Sequence, residues 1–482
     1  MAKVVVLGSG FSGHTAVSFL RTGLSKEHEV VMVTPNSNWQ YIPSNIWIGS
    51  GRMTSKNTVF PLAPIYKKKN IKFIQAKVVS FHPEGDSEIN KGFVVVEYVT
   101  GSKAGETSKI DYDFLVNGTG PKLDFEATEG LAPGKNKTVS ICSFDHAEHA
   151  WKELKALIDR MKKGEKLKIV IGTGHALATC QGAAFEYILN VEHELRRHKV
   201  RDNAEITWIS NEIELGDFGM DGMTFKVGGK PTTAQDLAEM LYADRGIKWI
   251  TKSGIYKIED GKALYENLAG EKKTIEFDFA MLIPKFSGHG FKSFDKDGND
   301  NTAKLFKAFM VVDADYTPKP YEEWTAQDWP ETYQNPSYSN IFAAGIAFHP
   351  PHSISKPQTS VNGTKIFPAP PRTGMPSAIT GKIVADNIIH MIKTGTDEII
   401  ERGAMSNMGA ACVASSGYGT IGGSAVVMMI EPIVPDYIKY PEYGRPLRSA
   451  AMGLSGHWLK KMLHHTFIYK AKMLPGWRMV PE

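Results

Sequence analysis

The first 34 residues carry a repeating pattern of apolar and polar positions. An apolar run, KVVVL, breaks into the glycine-rich GSGFSG, apolar positions recur at helical spacing to about Arg21, and a second run, EVVMVT, ends at Thr34. Short continuous apolar runs flanking a helical period predict strand, turn, helix and strand of a parallel α/β unit, because strands buried on both faces need no polar alternation. Comparable runs, YDFLVNGTG (112–120), KIVIGTG (168–174) and SNIFAAG (339–345), also close on glycines and predict further strands.

The turn after the first strand has a chemical reading. Gly8 makes the tight bend, Gly10 lets a pyrophosphate approach the backbone, and Gly13 lets helix and strand pack closely; the intervening Ser9, Phe11 and Ser12 open the helix whose amides hold phosphate. Such a fingerprint wants an acid about twenty residues on. Here the second strand ends in Thr34, Pro35 and Asn36, so a hydroxyl and an amide must replace the carboxylate.

A second turn, IGTGHALATC, departs from the pattern. Gly172 and Gly174 are present, but Leu177 stands for the third glycine and Gln181 follows Cys180, which argues against a pyridine nucleotide there.

Composition adds bounds. At 482 residues the chain suggests two or three domains, and 42% hydrophobic with 22% charged residues describes a globular protein. A net charge of +4 predicts no nucleic-acid partner. Cys142, Cys180 and Cys412 stand far apart with no C-x-x-C pair, so neither a local metal knuckle nor a disulfide framework is expected. The start, MAKVVVLGSG, leaves no room for a cleavable signal peptide, and no apolar run reaches spanning length.

Six stretches in order carry a resemblance: HEVVMVTPNSNWQYIPSNIWIG, GTGPKLDF, SICSFDHAEHA, CQGAAFEY, IFAAGIAFHPP and MGAACVASSG. Together they resemble the sulfide:quinone oxidoreductases, flavoproteins with two Rossmann-like dinucleotide-binding domains. The resemblance implies an α/β fold whose FAD-binding domain is discontinuous (1–160 and 320–400). It also implies a second Rossmann-like domain (161–319) carrying Cys180, and a C-terminal cysteine loop with an amphipathic membrane region (401–482).

FAD contacts are implied for Gly8, Ser9, Gly10, Phe11, Ser12, Gly13, Thr34 and Asn36 in the first unit. Pro43, Ser44 and Val78 follow, then Thr119, Gly120 and Pro121, then Gly345, Ile346, Thr373 and Gly374, with Lys460 near the flavin. The resemblance makes Cys180 and Cys412 the redox pair, with Cys412 facing the flavin, and adds Cys142 as a third cysteine. Glu186 and His146 match polar residues near the sulfide site. Asp217 stands where relatives carry histidine. Ordinary alternatives are cysteines as small apolar fillers and polar residues satisfied by backbone.

The implied activity is oxidation of hydrogen sulfide to polysulfide or sulfur, with two electrons passed through FAD to a membrane quinone. A thiolate released by thiol–disulfide exchange would need a depressed pKa, which a helix N-terminus near Cys180 can supply. A type II NADH:quinone oxidoreductase shares the fold but needs an intact second glycine turn. The flavoprotein subunit of a sulfide dehydrogenase needs an export signal, and a sulfur carrier without turnover also fits.

From Lys439 to the end, eight Lys or Arg face two acids, Glu442 and Glu482. Within LSGHWLKKMLHHTFIYKAKML, one row of helical spacing holds Leu454, Trp458 and Met462, and another Leu459, Leu463 and Phe467, with Lys460, Lys461, His464, His465, Lys470 and Lys472 around them. The expectation is a helix lying in one leaflet of a lipid bilayer on its Leu459–Leu463–Phe467 row, giving a peripheral protein of the cytoplasmic membrane and a homo-oligomer. A core or dimer-packing helix is the alternative. The proline-rich insert at 349–371 receives no role.

Overall fold

The computed structural model describes residues 1–371 and 374–482. In chain order the elements that position the site begin with β1 (Lys3–Leu7), α1 (Phe11–Gly23), β2 (Glu29–Thr34), α2 (Asn45–Gly49), β3 (Lys72–His82) and β4 (Phe114–Asn117). There follow α3 (Phe144–Met161), β5 (Leu167–Thr173), α4 (Gln181–Arg197), β6 (Ala204–Ile209), β7 (Ile247–Ile250), β8 (Phe279–Ile283), β9 (Ile341–Ala343) and α5 (Gly374–Thr394). The chain closes with β10 (Ala410–Gly417), β11 (Gly423–Ile430), β12 (Ala450–Gly453) and α6 (Leu454–Ala471).

The first sheet has the parallel order β9-β4-β1-β2-β3, so a strand from residues 341–343 closes a sheet begun at residue 3. Val4, Val5, Val6 and Leu7 are wholly buried, as central strands covered on both faces require. A second parallel sheet has the order β8-β5-β6-β7 within residues 167–283, with Thr138–Val139 added at the β8 edge.

In each sheet the glycine-turn strand passes through a helix to its parallel neighbour, β1–α1–β2 and β5–α4–β6, which places ligand-binding turns at the carboxyl ends of the strands. The turns after β1, β4 and β9 therefore meet, because those three strands are neighbours. A third, antiparallel sheet, β10-β11-β12, packs against α4 on one side and receives α6. It brings the C-terminal segment to the second parallel unit.

Candidate functional site

The first turn is open where a phosphate would approach. Gly8 takes a left-handed φ of +84° and donates its N–H to the Val33 carbonyl at 2.8 Å. A Cβ on Gly13 would lie 1.9 Å from the Gly8 carbonyl oxygen, so helix and strand close tightly there. A Cβ on Gly10 would meet nothing within 4 Å. Gly10 begins α1 with no side-chain cap and no acid in the first turn, which leaves helix amides available to an anion. These residues fit a dinucleotide pyrophosphate.

The surrounding turns complete the cradle. Thr119 folds its N–H and hydroxyl onto the Asn117 carboxamide oxygen at 3.2 and 2.8 Å, and Gly120 is left-handed with open space beside it. His289 lies beside the Thr119–Gly120 backbone, which partly offsets the lowering of its pKa by burial, a contact not anticipated from sequence because nothing local marks it. Gly345, also left-handed, has room for no Cβ: Ser12 Oγ would lie 2.6 Å away. Gly374 faces the Phe11 ring, Ile346 is half-buried beside Gly345, and Val78 is half-buried in β3 beyond its pairing with β2. Thr373 lies outside the described residues.

Thr34 differs from the expectation. Its hydroxyl is buried against Ser9 Oγ at 3.2 Å and the Asn36 N–H at 3.3 Å, so it closes the turn, while Asn36 stays exposed. A ribose hydroxyl can be met by Asn36 without disturbing the turn.

The second turn is built differently. A Cβ on Gly174 would lie 2.7 Å from Leu131 Cδ2, so apolar side chains fill the place of close phosphate approach. Six residues then separate Gly174 from Gln181, where α4 begins. The segment 367–370 crosses that gap, with the Phe367 and Ala369 N–H groups donating to the Ala176 and Ala178 carbonyls, each at 3.1 Å.

Cys180 sits immediately before α4 in the left-handed conformation, φ +65°. One residue into the helix, a Cβ on Gly182 would stand 3.8 Å from the Cys412 sulfur. That is ordinary van der Waals range, so β10 lays Cys412 against the turn that Cys180 begins. Further along α4, Glu186 and Asn190, one helical turn apart, fasten the same strand. Glu186 Oε1 accepts the Ser415 N–H at 2.9 Å and its hydroxyl, Asn190 donates to the Ser415 carbonyl at 2.6 Å, and Lys460 of α6 donates to Glu186 Oε1.

Burial, reinforced by Glu186 and opposed by Lys460, pushes the Cys412 thiol up to about 12. The expected depressed thiol is therefore not found at Cys412, because burial dominates there and the Glu186 carboxylate adds to it.

Cys142 and His146 stand on another element. Cys142 precedes α3, its N–H bonded to Ser140 Oγ at 3.1 Å, and burial pushes its thiol up to about 11. His146, in the first turn of α3, packs edge-on to Phe125, leaves Nδ1 buried and unpartnered, and is held by burial below the usual imidazole range. Neither shares a hydrogen bond with Glu186 or Lys460 among the described residues. Asp217 is buried, accepting from Ser355 Oγ at 2.8 Å and the Gly222 N–H at 2.9 Å, and burial raises its pKa. It ties its own loop to the 349–371 insert.

The C-terminal helix reverses part of the expectation. Its polar groups His457, Lys460 and His464 turn inward around Trp47 of α2, with Lys460 Nζ 5.3 Å from that ring and His464 Nδ1 2.8 Å from Ser44 Oγ beside the half-buried Pro43. Burial, with nearby His465, Lys460 and Lys461, drives His464 down to about 4. Phe467 is 8% exposed and packs near Phe11 and Tyr41, so it is not part of an outward row; Leu459 and Leu463 are half-buried. The outward apolar residues are Trp458 (50% exposed) and Met462 (53%), beside Ile421 (84%) on the 418–422 loop, whose Thr420 carbonyl takes the Trp458 indole N–H at 2.7 Å. No helix among the described residues is long and apolar enough to cross a membrane.

Comparison with known proteins gives a consistent picture. The family model for pyridine nucleotide-disulphide oxidoreductases matches residues 2–202. The chain is 28% identical over 473 residues to the sulfide-quinone reductase of Aquifex aeolicus, spanning 98% of this chain and 92% of that protein. It is 24% identical to the mitochondrial sulfide:quinone oxidoreductase of Dictyostelium discoideum, over 73% of this chain and 67% of that one.

Among solved structures, the sulfide:quinone oxidoreductase of Aquifex aeolicus matches with a TM-score of 0.75 at 26% identity, covering 98% of this chain and 92% of the other. NDH2 of Plasmodium falciparum, solved with NADH, covers 99% and 95% with a TM-score of 0.61 at 12% identity, a likeness of fold. The resemblance carried by the six sequence stretches thus extends along nearly the whole chain.

Proposed function

We propose that this FAD-dependent oxidoreductase takes two electrons from hydrogen sulfide at a Cys180–Cys412 pair and delivers them to a membrane quinone. The observation that carries the reading is the meeting of both cysteines on the first turn of α4, Cys180 before it and the Cys412 sulfur against Gly182. The second cleft, where a nicotinamide would enter, is filled by Leu131 and segment 367–370. Part of the same proposal is the division into an FAD-binding unit (1–160 and 320–400), a second Rossmann-like unit and a C-terminal membrane region.

Residues 8–13, Asn36, residues 119–121, Gly345 and Gly374 would hold FAD, which when bound supplies a two-electron relay between thiolate and quinone. In the oxidised protein Cys180 and Cys412 share a disulfide. Hydrosulfide attacks the Cys180 sulfur; the new S–S bond forms a persulfide there, the Cys180–Cys412 bond breaks, and Cys412 leaves as a thiolate carrying the electron pair. Burial and Glu186 raise the energy of that thiolate, which slows its departure, since a thiol of lower pKa leaves faster, and strengthens it as a nucleophile once it has formed. Lys460 offsets part of the charge. The outward Trp458, Met462 and Ile421 would rest in one leaflet, where a hydrophobic quinone is dissolved.

Anaerobic titration with sulfide, followed by a short-chain quinone, tests the reading. Sulfide should bleach the flavin absorbance of the purified protein, quinone should restore it, and Cys412→Ser should retain FAD without bleaching. Flavin that is reduced by NADH and untouched by sulfide would overturn the proposal.

A further inference from the structure

Asn211 lies two residues past the end of β6, where a dinucleotide-binding unit places the side chain that grips a ribose. It is wholly buried. Its carboxamide nitrogen lies 3.0 Å from the Ala176 carbonyl, 3.1 Å from that of Ala178 and 3.0 Å from that of Phe367. Its oxygen accepts from Gln181 Nε2 at 2.9 Å, and its backbone N–H donates to Thr173 Oγ1 at 3.2 Å. One side chain therefore joins the turn before Cys180, the first residue of α4 and the insert, while the backbone of the same residue holds the strand end.

The insert is bound along its backbone as well. Beyond the Phe367 and Ala369 bonds to residues 176 and 178, the Pro370 carbonyl accepts from Thr179 Oγ1 at 3.2 Å, one residue before Cys180. Ile366 is fully buried, against the Gly254 position and close to Ala176. Cys180 itself keeps a left-handed φ, a conformation that side-chain-bearing residues hold where surrounding contacts enforce it.

We propose that residues 366–370 are a built-in occupant of the second dinucleotide cleft, gripped by Asn211 in place of a ribose, and that Asn211 is a positioning residue for Cys180. The strap closes the cleft to nicotinamide nucleotides and fixes the turn that presents the thiol. Its catalytic consequence rests on the reading of Cys180 as the sulfide-accepting cysteine; the occupancy of the cleft does not.

The test uses the FAD-loaded full-length protein and Asn211→Asp, which keeps the volume but turns a carboxylate toward three carbonyl oxygens. Trypsin should cut the Lys365–Ile366 bond at least about tenfold faster than in the parent, because the strap must open to be cleaved. Iodoacetamide labelling of Cys180, read by mass spectrometry, should change by roughly fivefold or more, since the turn is no longer fixed. The limiting rate of flavin bleaching by sulfide should fall by about tenfold or more with the flavin content retained, as misplacement of a reacting group predicts.

If Asn211→Asp does not fold, the near-isosteric Thr179→Val removes the Pro370 bond and is read in the same three ways. Parental cleavage and labelling rates in the folded variant would overturn the proposal, as would NADH binding to the parent with the strap uncut. Altered cleavage and labelling in a protein that sulfide never reduces would uphold the strap and sink the sulfide reading alone.

Discussion

Lys460 sets its ammonium on the Glu186 carboxylate across 274 positions of chain, and both side chains are almost wholly buried. The pair ties α6 to α4 beside Cys412 and brackets its thiol with opposite charges, Glu186 raising and Lys460 lowering its pKa. Two substitutions should therefore move Cys412 in opposite directions.

In Glu186→Gln the loss of negative charge stabilises the thiolate, and iodoacetamide labelling of Cys412 at pH 9 should rise by about tenfold, as one pKa unit implies. In Lys460→Met the labelling should fall, and removing one member of a buried pair should cost about 3–5 kcal/mol of stability. Movement of both variants in the same direction would show that these charges do not govern the sulfur.

Gly10 and Gly13 should separate cofactor binding from folding. Gly10→Ala meets no protein atom within 4 Å, so the chain should fold, yet the methyl occupies the path of the pyrophosphate and FAD retention should drop by about tenfold or more. Gly13→Ala places its Cβ 1.9 Å from a carbonyl oxygen and should fail to accumulate as folded protein. Flavin absorbance per chain and the circular dichroism of the purified variants distinguish the two outcomes.

Glu212 should confer a pH dependence on stability. It is fully buried, accepting from the Phe218 N–H at 2.9 Å and Ser210 Oγ at 2.7 Å, and burial pushes its carboxyl up to about 8. The folded state keeps its proton while the unfolded chain releases it near 4.5. Its contribution is therefore complete below about pH 4.5 and is lost as pH rises toward 8, by at most about 5 kcal/mol. Glu212→Gln has no proton to lose. Its denaturant midpoint should fall less between pH 5 and pH 8 than the parent's, and equal falls would refute the assignment.

The outward face of α6 gives a membrane test. Trp458→Glu and Met462→Glu should each weaken binding to anionic liposomes by about tenfold or more, about 1.4 kcal/mol, without loss of FAD. Phe467→Glu should instead destabilise the fold, because that ring is buried near Phe11 and Tyr41. Parental co-sedimentation of the Trp458 and Met462 variants would show that this face does not meet lipid.

What could be read from sequence was local or resemblance-borne. The Gly8–Gly13 turn is legible because its constraints act within one strand–turn–helix unit: a bend, an open approach and a close packing each name glycine at a fixed offset. The altered second turn was equally visible in Leu177, since a missing glycine changes backbone geometry where it stands.

Other relationships arose when distant segments packed. Cys412 reaches Gly182 because α4 lies on β10, and Lys460 finds Glu186 because α6 lies on the same sheet; no spacing within either segment encodes the meeting. The period of α6 identified a helix but not which face turns inward. That was decided by buried partners, Glu186 for Lys460 and Ser44 for His464, which draw the polar groups in and leave Trp458 and Met462 outside. Thr34 likewise turned inward to Ser9. Segment 366–370 was unreadable because its backbone, not its side chains, makes the hydrogen bonds that hold it, and backbone groups carry no sequence signature until their partners at Ala176, Ala178 and Asn211 are in place.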